Sequence, residues 1–192
     1  MSIAISPPER KTMTVEEFLA LPDDGIAREL IRGQVRERGP SIRDRFHART
    51  EALTGKHLCN WLETCPEPKG EIVAGEAGFR LRGPDDSAVG IDVAYVSAEH
   101  VAAMGERQEI FDGPPILAVE ILSSSDTHEA IIEKIELYHE FGVIVWEVDP
   151  DLKTVRVHRP GIDPVMFSRS QELTTEPELP GFRLEVAKLF EG

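Results

Sequence analysis

Ile116-Leu117-Ala118-Val119-Glu120-Ile121-Leu122 is apolar throughout except for one carboxylate. A short apolar run without alternation is the pattern of a strand buried on both faces, as in a parallel sheet. Downstream, residues 129–141 repeat apolar side chains at helical spacing and stop at Gly142, where a helix end favours glycine. Residues 143–148 form a second apolar strand. Strand, helix, strand in that order predicts a parallel pair joined by a right-handed crossover. The expected fold class is α+β (α/β), a central mixed sheet flanked by helices.

Nearer the N-terminus, Thr14-Val15-Glu16-Glu17 fits a capping box ahead of a short helix 15–21, closed by Pro22-Asp23-Asp24-Gly25. Segments 27–31 and 34–38 flank Arg32-Gly33 as a β-hairpin. A helix from near Asp44 to Leu62 carries Phe46, Thr50, Leu53, Leu58 and Trp61 at helical spacing. Strands are expected at 72–74, 78–82 and 89–96, with Gly83-Pro84-Asp85-Asp86 as a turn, and Ser97 caps a short helix to Ala103. Residues 104–115 read as an irregular loop; strands near 153–158, 165–167 and 182–184 then precede a short helix 186–190. Residues 1–11 read as a flexible arm before a single domain 12–192.

The chain has 192 residues, 41% hydrophobic and 29% charged, ordinary proportions for a globular protein. No apolar run approaches the roughly 20 residues that span a bilayer. The N-terminus has no charged region followed by an apolar stretch, so no secretory signal is expected. Cys59 and Cys65 are too few for a disulfide framework and read as free thiols, consistent with a cytoplasmic setting. A net charge of −14 disfavours non-specific nucleic-acid binding. Residues 28–49 nonetheless hold seven arginines against Glu29, Glu37 and Asp44, while residues 99–151 hold thirteen acids against Arg107 and Lys134. A local anion-binding patch is permitted, although a solvated acidic surface with scattered arginines is the simpler reading.

Function should show where charge interrupts buried patterns, because isolated buried charge is expensive. Glu120 shares its strand face with Ile116, Ala118 and Leu122, and Asp92 interrupts the apolar run 89–96. Each carboxylate needs a cation there, either a basic side chain or a metal. On the helix 129–141, Leu137, Phe141, Tyr138, Ile131, Ile135 and Ile132 form one apolar arc opposite Glu129, Glu133, Glu136 and Glu140. Lys134 falls inside that arc and so points at the sheet, within reach of Glu120. Two readings stand: a structural Glu–Lys pair with a snorkelling stem, or a hydrolytic site whose lysine stabilises an anionic transition state. Carboxylate pairs suit hard Mg²⁺, which keeps several waters, polarises a phosphate and activates water. Glu29 reads either as a further acid of such a site or as a hairpin residue paired with arginine.

These segments resemble the Uma2-like family of the PD-(D/E)XK nuclease superfamily. The resemblance is carried by Met13-Thr14-Val15-Glu16-Glu17-Phe18, Glu29-Leu30-Ile31-Arg32-Gly33-Gln34-Val35, Gly78-Phe79-Arg80-Leu81 and Ile91-Asp92-Val93-Ala94-Tyr95-Val96. It continues through Ala118-Val119-Glu120-Ile121-Leu122-Ser123-Ser124-Ser125-Asp126, Lys134-Ile135-Glu136-Leu137-Tyr138, Trp146-Glu147-Val148-Asp149-Pro150 and Leu179-Pro180-Gly181-Phe182. The resemblance implies a restriction-endonuclease-like core with Asp92 as the motif aspartate and Glu120 as the second acidic ligand. The superfamily's lysine two residues after the glutamate is replaced by Leu122, and Lys134 matches the position from which the family's following helix supplies one. Glu29 matches a family acid that joins the site. Ile91 stands where the family has proline, and Ser123-Ser124-Ser125 where it usually has Ser-Pro-Ser.

Other constellations are weaker. His57, Cys59 and Cys65 match no zinc spacing, and a buried cysteine with a surface histidine describes them better. His47 reads as a solvated helix residue rather than a cleft residue. Ser125 or Asp126 reads as a helix cap, not part of a nucleophilic site. The expectation is a Mg²⁺-dependent (or Mn²⁺-dependent) endonuclease acting on DNA, with Asp92 and Glu120 binding metal, Lys134 catalytic and Glu29 assisting. A homodimer and the absence of membrane contact belong to the same expectation. The competing class is a non-catalytic nucleic-acid-binding or regulatory module that keeps the fold.

Overall fold

The computed structural model describes residues 12–38, 42–105 and 108–191. The order is α1 (Val15–Leu19), β1 (Arg28–Ile31), β2 (Gln34–Glu37), α2 (Arg45–Thr64), β3 (Glu71–Leu81), β4 (Ser87–Val96) and α3 (Ala98–Ala103). It continues with β5 (Phe111–Asp112), β6 (Leu117–Ile121), α4 (His128–Glu140), β7 (Ile144–Asp149), β8 (Thr154–Arg159) and β9 (Ile162–Ser168). β10 (Glu172–Thr174), β11 (Arg183–Glu185) and a 3₁₀ helix, Val186–Leu189, close the chain. The expected arm 1–11 lies outside the described residues.

Among the described residues, nine strands form one mixed sheet with the path β2-β1-β4-β6-β7-β8-β9, β3 lying on β4 and β5 on β3. β6 and β7 are parallel, Leu117 opposite Ile144 through Ile121 opposite Val148, with α4 between them in the chain, as the apolar patterns predict. β6 is buried at every residue, which explains why it shows no alternation. On one side of the sheet Leu58 and Trp61 of α2 pack on Val93, Leu117, Val119 and Trp146. A second core joins Ile135, Leu137 and Tyr138 of α4 to Ala118, Val145 and Ile91. Each fully buried aliphatic or aromatic side chain contributes about 1.5–3 kcal/mol through removal from water.

The capping box at Thr14 and Glu17 is present, and Asp44 accepts from the Phe46 and His47 N–H groups at the start of α2. The hairpin turns through Arg32 at φ 46° and Gly33 at φ 69°, the two left-handed residues a tight two-residue connection requires.

β4 forks the sheet. One of its edges pairs with β3 along the strand. Its other edge meets β6 through Val93–Tyr95 and β1 at Ala88. In the gap between these contacts, the Gly90 N–H donates to Glu29 Oε1 and the Gly90 carbonyl accepts from Lys134 Nζ, both at 3.1 Å. Opposite Asp92, β3 carries a bulge: between the pairs Ala74–Val93 and Ala77–Ile91 it spends two residues, Gly75 and Glu76, where β4 spends one.

Several sequence expectations are corrected. α4 is capped by Thr127, not Ser125 or Asp126; Asp126 closes the preceding turn by accepting from the Ser123 N–H and hydroxyl. Ile132 lies at the edge of its arc and is exposed, as is Phe46 on α2. The buried face of α2 is His47, Thr50, Thr54, Leu58 and Trp61, so Leu53 is only half-buried. His47 is therefore a buried residue and not a solvated one. Cys59 and Cys65 are free, but Cys59 is exposed and Cys65 half-buried. β3 is one long strand rather than two short ones, and β5 and β10 are elements the patterns did not indicate.

Candidate active site

Lys134 and Tyr138 stand one turn apart on α4, so their side chains descend on the same part of the sheet. They meet Glu120 of β6: Lys134 Nζ donates to Glu120 Oε2 at 2.8 Å, and the Tyr138 hydroxyl donates to Oε1 at 2.7 Å. The ammonium group also lies 3.1 Å from Glu29 Oε1 of β1. With the Gly90 carbonyl, its three donors have three oxygen partners. Arg38, just after β2, donates to Glu29 Oε1 at 3.1 Å and to Glu76 Oε2 at 3.0 Å. Arg43 pairs with the other oxygen of Glu76.

Asp92 lies across the fork. Continuing the β4–β6 register one step past Val93–Val119 places it opposite Glu120. Its Oδ2 accepts the Ile121 N–H at 2.7 Å, tying β4 to the end of β6. His47 Nε2 stands 3.4 Å from the same oxygen, and His47 Nδ1 is 3.9 Å from Glu51. Among the described residues, Asp92 Oδ1 and both ring nitrogens of His47 are buried without a hydrogen-bond partner.

The electrostatics follow from burial. Desolvation pushes the Glu120 carboxyl above its ordinary range; Lys134 and Arg38 oppose that, while Asp92 and Glu29 add to it. Burial alone lowers the Lys134 pKa, but Glu120 and Glu29 outweigh it and hold the amine above the usual lysine range, so it stays an ammonium ion. Tyr138 is held well above its ordinary value, by burial and by Glu120, and remains a donor. For Asp92 burial again acts upward, yet His47, the Ile121 N–H and Lys134 more than offset it and the pKa falls below 3.8. Arg38 is raised, because the carboxylates of Glu29, Glu120 and Asp92 overcome its desolvation.

All four residues expected from the sequence, Asp92, Glu120, Lys134 and Glu29, converge here and are nearly inaccessible. The pattern missed His47, Tyr138 and Arg38. His47 had a signal, since it begins the i, i+3, i+7 face that leads to Leu58 and Trp61. Tyr138 was hidden by its own ring, which suits the apolar arc, and Arg38 by lying among many arginines. Ser123 bonds to Asp126, and Cys59 and Cys65 take no part in the cluster.

Among the described residues no three His, Cys, Asp or Glu side chains are grouped to enclose a metal ion by themselves. Mg²⁺ does not require such a cage, since it keeps several waters and commonly takes one or two carboxylates. The orphaned Asp92 Oδ1 is a buried anionic oxygen suited to that use. Glu120 accepts one hydrogen bond on each oxygen and keeps further lone pairs. In its chemistry the donor set suits a divalent cation.

A crystal structure of a "putative nuclease belonging to DUF820" from Anabaena variabilis ATCC 29413 superimposes with a TM-score of 0.78 over 93% of this chain and 97% of that one. The two are 22% identical, a likeness of fold. No curated protein matches the chain. The family described as "Uma2: Putative restriction endonuclease" matches residues 15–187, a span that holds every residue of the cluster. The chain belongs to the Uma2 family of restriction-endonuclease-like proteins.

Proposed function

We propose that the protein is a Mg²⁺- or Mn²⁺-dependent endonuclease hydrolysing phosphodiester bonds in DNA. The observation that carries this reading is the ammonium group of Lys134 held between Glu120 and Glu29 on the fork that also bears Asp92. Asp92 and Glu120 would hold the cation, which supplies polarisation of the phosphate and a more acidic attacking water when bound. Lys134 carries a fixed positive charge into a site of low dielectric, where it stabilises the charge developing on a phosphorane-like transition state. Glu29 holds both Lys134 and Arg38 in position. Tyr138 fixes the rotamer of Glu120. Cutting both strands of a duplex needs two such sites, so a homodimer belongs to this proposal, as does a cytoplasmic location.

The test is titration of Mg²⁺ and Mn²⁺ against a panel of single- and double-stranded DNA and RNA, with melting followed in parallel. Cleavage together with a metal-induced rise in Tm, both lost in Asp92→Ala and Glu120→Ala, supports the proposal. No cleavage and no metal-dependent shift rejects it. Light scattering of a monomer at all working concentrations removes the dimer. A second reading, a non-catalytic nucleic-acid-binding module, is favoured by one observation: both Glu120 oxygens already have protein donors. Metal-independent binding of DNA without turnover would select it.

A further inference from the structure

Glu76 is the unusual residue at the mouth of this site. It has a left-handed backbone at φ 60°, next to Gly75 at φ 87°, in the bulge opposite Asp92. Such a conformation is costly for a residue with a Cβ and persists where surroundings enforce it. The bulge register sets that backbone, and Arg38 and Arg43 converge on the two oxygens of the carboxylate it presents. Gly90 makes room, since a Cβ there would lie 2.7 Å from Glu76 Oε2. The three side chains border a cavity of about 380 Å³ that reaches Glu29 and Gly90, the partners of Lys134.

We propose that Glu76 is the internal occupant of a phosphate clamp made by Arg38 and Arg43, and that a phosphate of an incoming nucleic-acid strand displaces it. Two guanidinium groups around one planar anion are an arrangement that suits phosphate as well as carboxylate, because the forks offer paired donors to either. Exposure differs in the sense exchange requires: the Glu76 side chain is 39% accessible, Arg38 and Arg43 only 15% and 19%. The carboxylate can swing into water while the arginines stay in place. Arg38 keeps its contact with Glu29 when Glu76 leaves, so a bound phosphate is fixed beside the Lys134 cluster. The identity of the ligand as a nucleic-acid phosphate rests on the nuclease reading; the clamp itself rests on the two arginines.

The test uses the full chain in EDTA, so that no turnover intervenes. Two probes are applied: inorganic phosphate by calorimetry, and a fluorescein-labelled DNA oligonucleotide by anisotropy. Glu76→Gln is expected to bind both about tenfold more tightly than the parent, the factor corresponding to one charge-assisted hydrogen bond no longer in competition. Glu76→Gly, which also relieves the positive φ, should do the same with no loss of Tm. Adding Arg43→Gln to Glu76→Gln should cancel the gain. Equal or weaker binding by both Glu76 variants, or a gain that survives Arg43→Gln, overturns the clamp, as does absence of phosphate binding by all of them. Tighter phosphate binding without DNA cleavage under any metal leaves the clamp standing and removes the nuclease reading. Cleavage with unchanged binding in the Glu76 variants does the reverse.

Discussion

Lys134→Met is the sharpest perturbation of the cluster. Methionine fills most of the volume of the lysine stem but removes a buried ammonium group that serves Glu120, Glu29 and the Gly90 carbonyl. Taking one partner from a buried ion pair typically costs about 3–5 kcal/mol, because the remaining charge is left in low dielectric. For a chain of this size 1 kcal/mol shifts Tm by about 2–4 °C, so a fall of roughly 10 °C is expected. The loss should depend on pH. Glu120 already titrates above its ordinary 4.5, and losing the ammonium group moves it further up. A carboxyl whose pKa is higher in the folded state stabilises the fold below its unfolded pKa, and that contribution disappears as pH rises through the folded value. The variant's deficit against the parent is therefore largest at neutral and alkaline pH and shrinks on acidification toward the ordinary glutamate range. In the parent the ammonium group keeps its contribution until pH passes the raised lysine pKa. Urea denaturation at about pH 8 and about pH 5 measures both effects, and Lys134→Met with Glu120→Gln should recover much of the loss. A single variant within about 1 kcal/mol of the parent, or a deficit that is the same at both pH values, would refute the account of Lys134 as a buried counter-ion.

Three further outcomes follow from the geometry. Tyr138→Phe keeps the ring but removes the donor to Glu120 Oε1; it should cost about 1.5–3 kcal/mol in urea denaturation, as expected for a hydrogen bond to a charged group. Asp92→Asn should flatten the acid limb of the stability curve: a depressed aspartate pKa gives stability that is present above the ordinary value of 3.8 and lost as pH falls through the folded value. A parent and variant with superimposable melts below about pH 4 and above it would contradict this. Gly33→Ala forces a Cβ to within 2.6 Å of Thr12 at φ 69°; a cost of about 1–2 kcal/mol is expected, read as a lowered urea midpoint.

The parts of the molecule legible in the sequence are those where one physical requirement dominates. β6 could be recognised because burial on both faces leaves no room for alternation, and Glu120 because a lone carboxylate in such a run calls for a cation beside it. Lys134 was legible for the mirror reason, a cation within an apolar arc. Thr14 and Glu17 announced a helix start because their reciprocal bonds need that spacing. Asp44 and Thr127 are equally regular caps, yet the sequence places the α4 start at Ser125 or Asp126, because these carry the same capping chemistry as the Thr127 that follows them. The same limit hid His47: its neighbours Arg45 and Arg49 suggest a wet surface, and only the rotation set by Leu58 and Trp61 turns it inward. Glu76 was beyond reach, since a bulge is fixed by the register of β3 against β4 and leaves no compositional trace apart from Gly75.

Charge accounting links these pieces to function. Asp92, Glu120 and Glu29 are three nearly buried carboxylates, and Lys134 and Arg38 are the cations beside them. Carboxylates packed this closely disfavour one another's ionisation, as Asp92 and Glu29 do for Glu120, and a low-dielectric site can relieve that by taking up a proton or a cation. The raised pKa of Glu120 is one response; a divalent ion, if it binds at Asp92 Oδ1 as proposed, would be another. On that proposal the two would compete, and binding of the cation would release protons wherever Glu120 is partly protonated. Metal affinity should accordingly rise with pH up to the range where Glu120 is fully ionised and then level off, and Glu120→Gln should remove that dependence. Calorimetry of Mn²⁺ binding in buffers of different ionisation enthalpy measures the protons released, and a stoichiometry that is zero and independent of pH would show that Glu120 and the cation do not share this site.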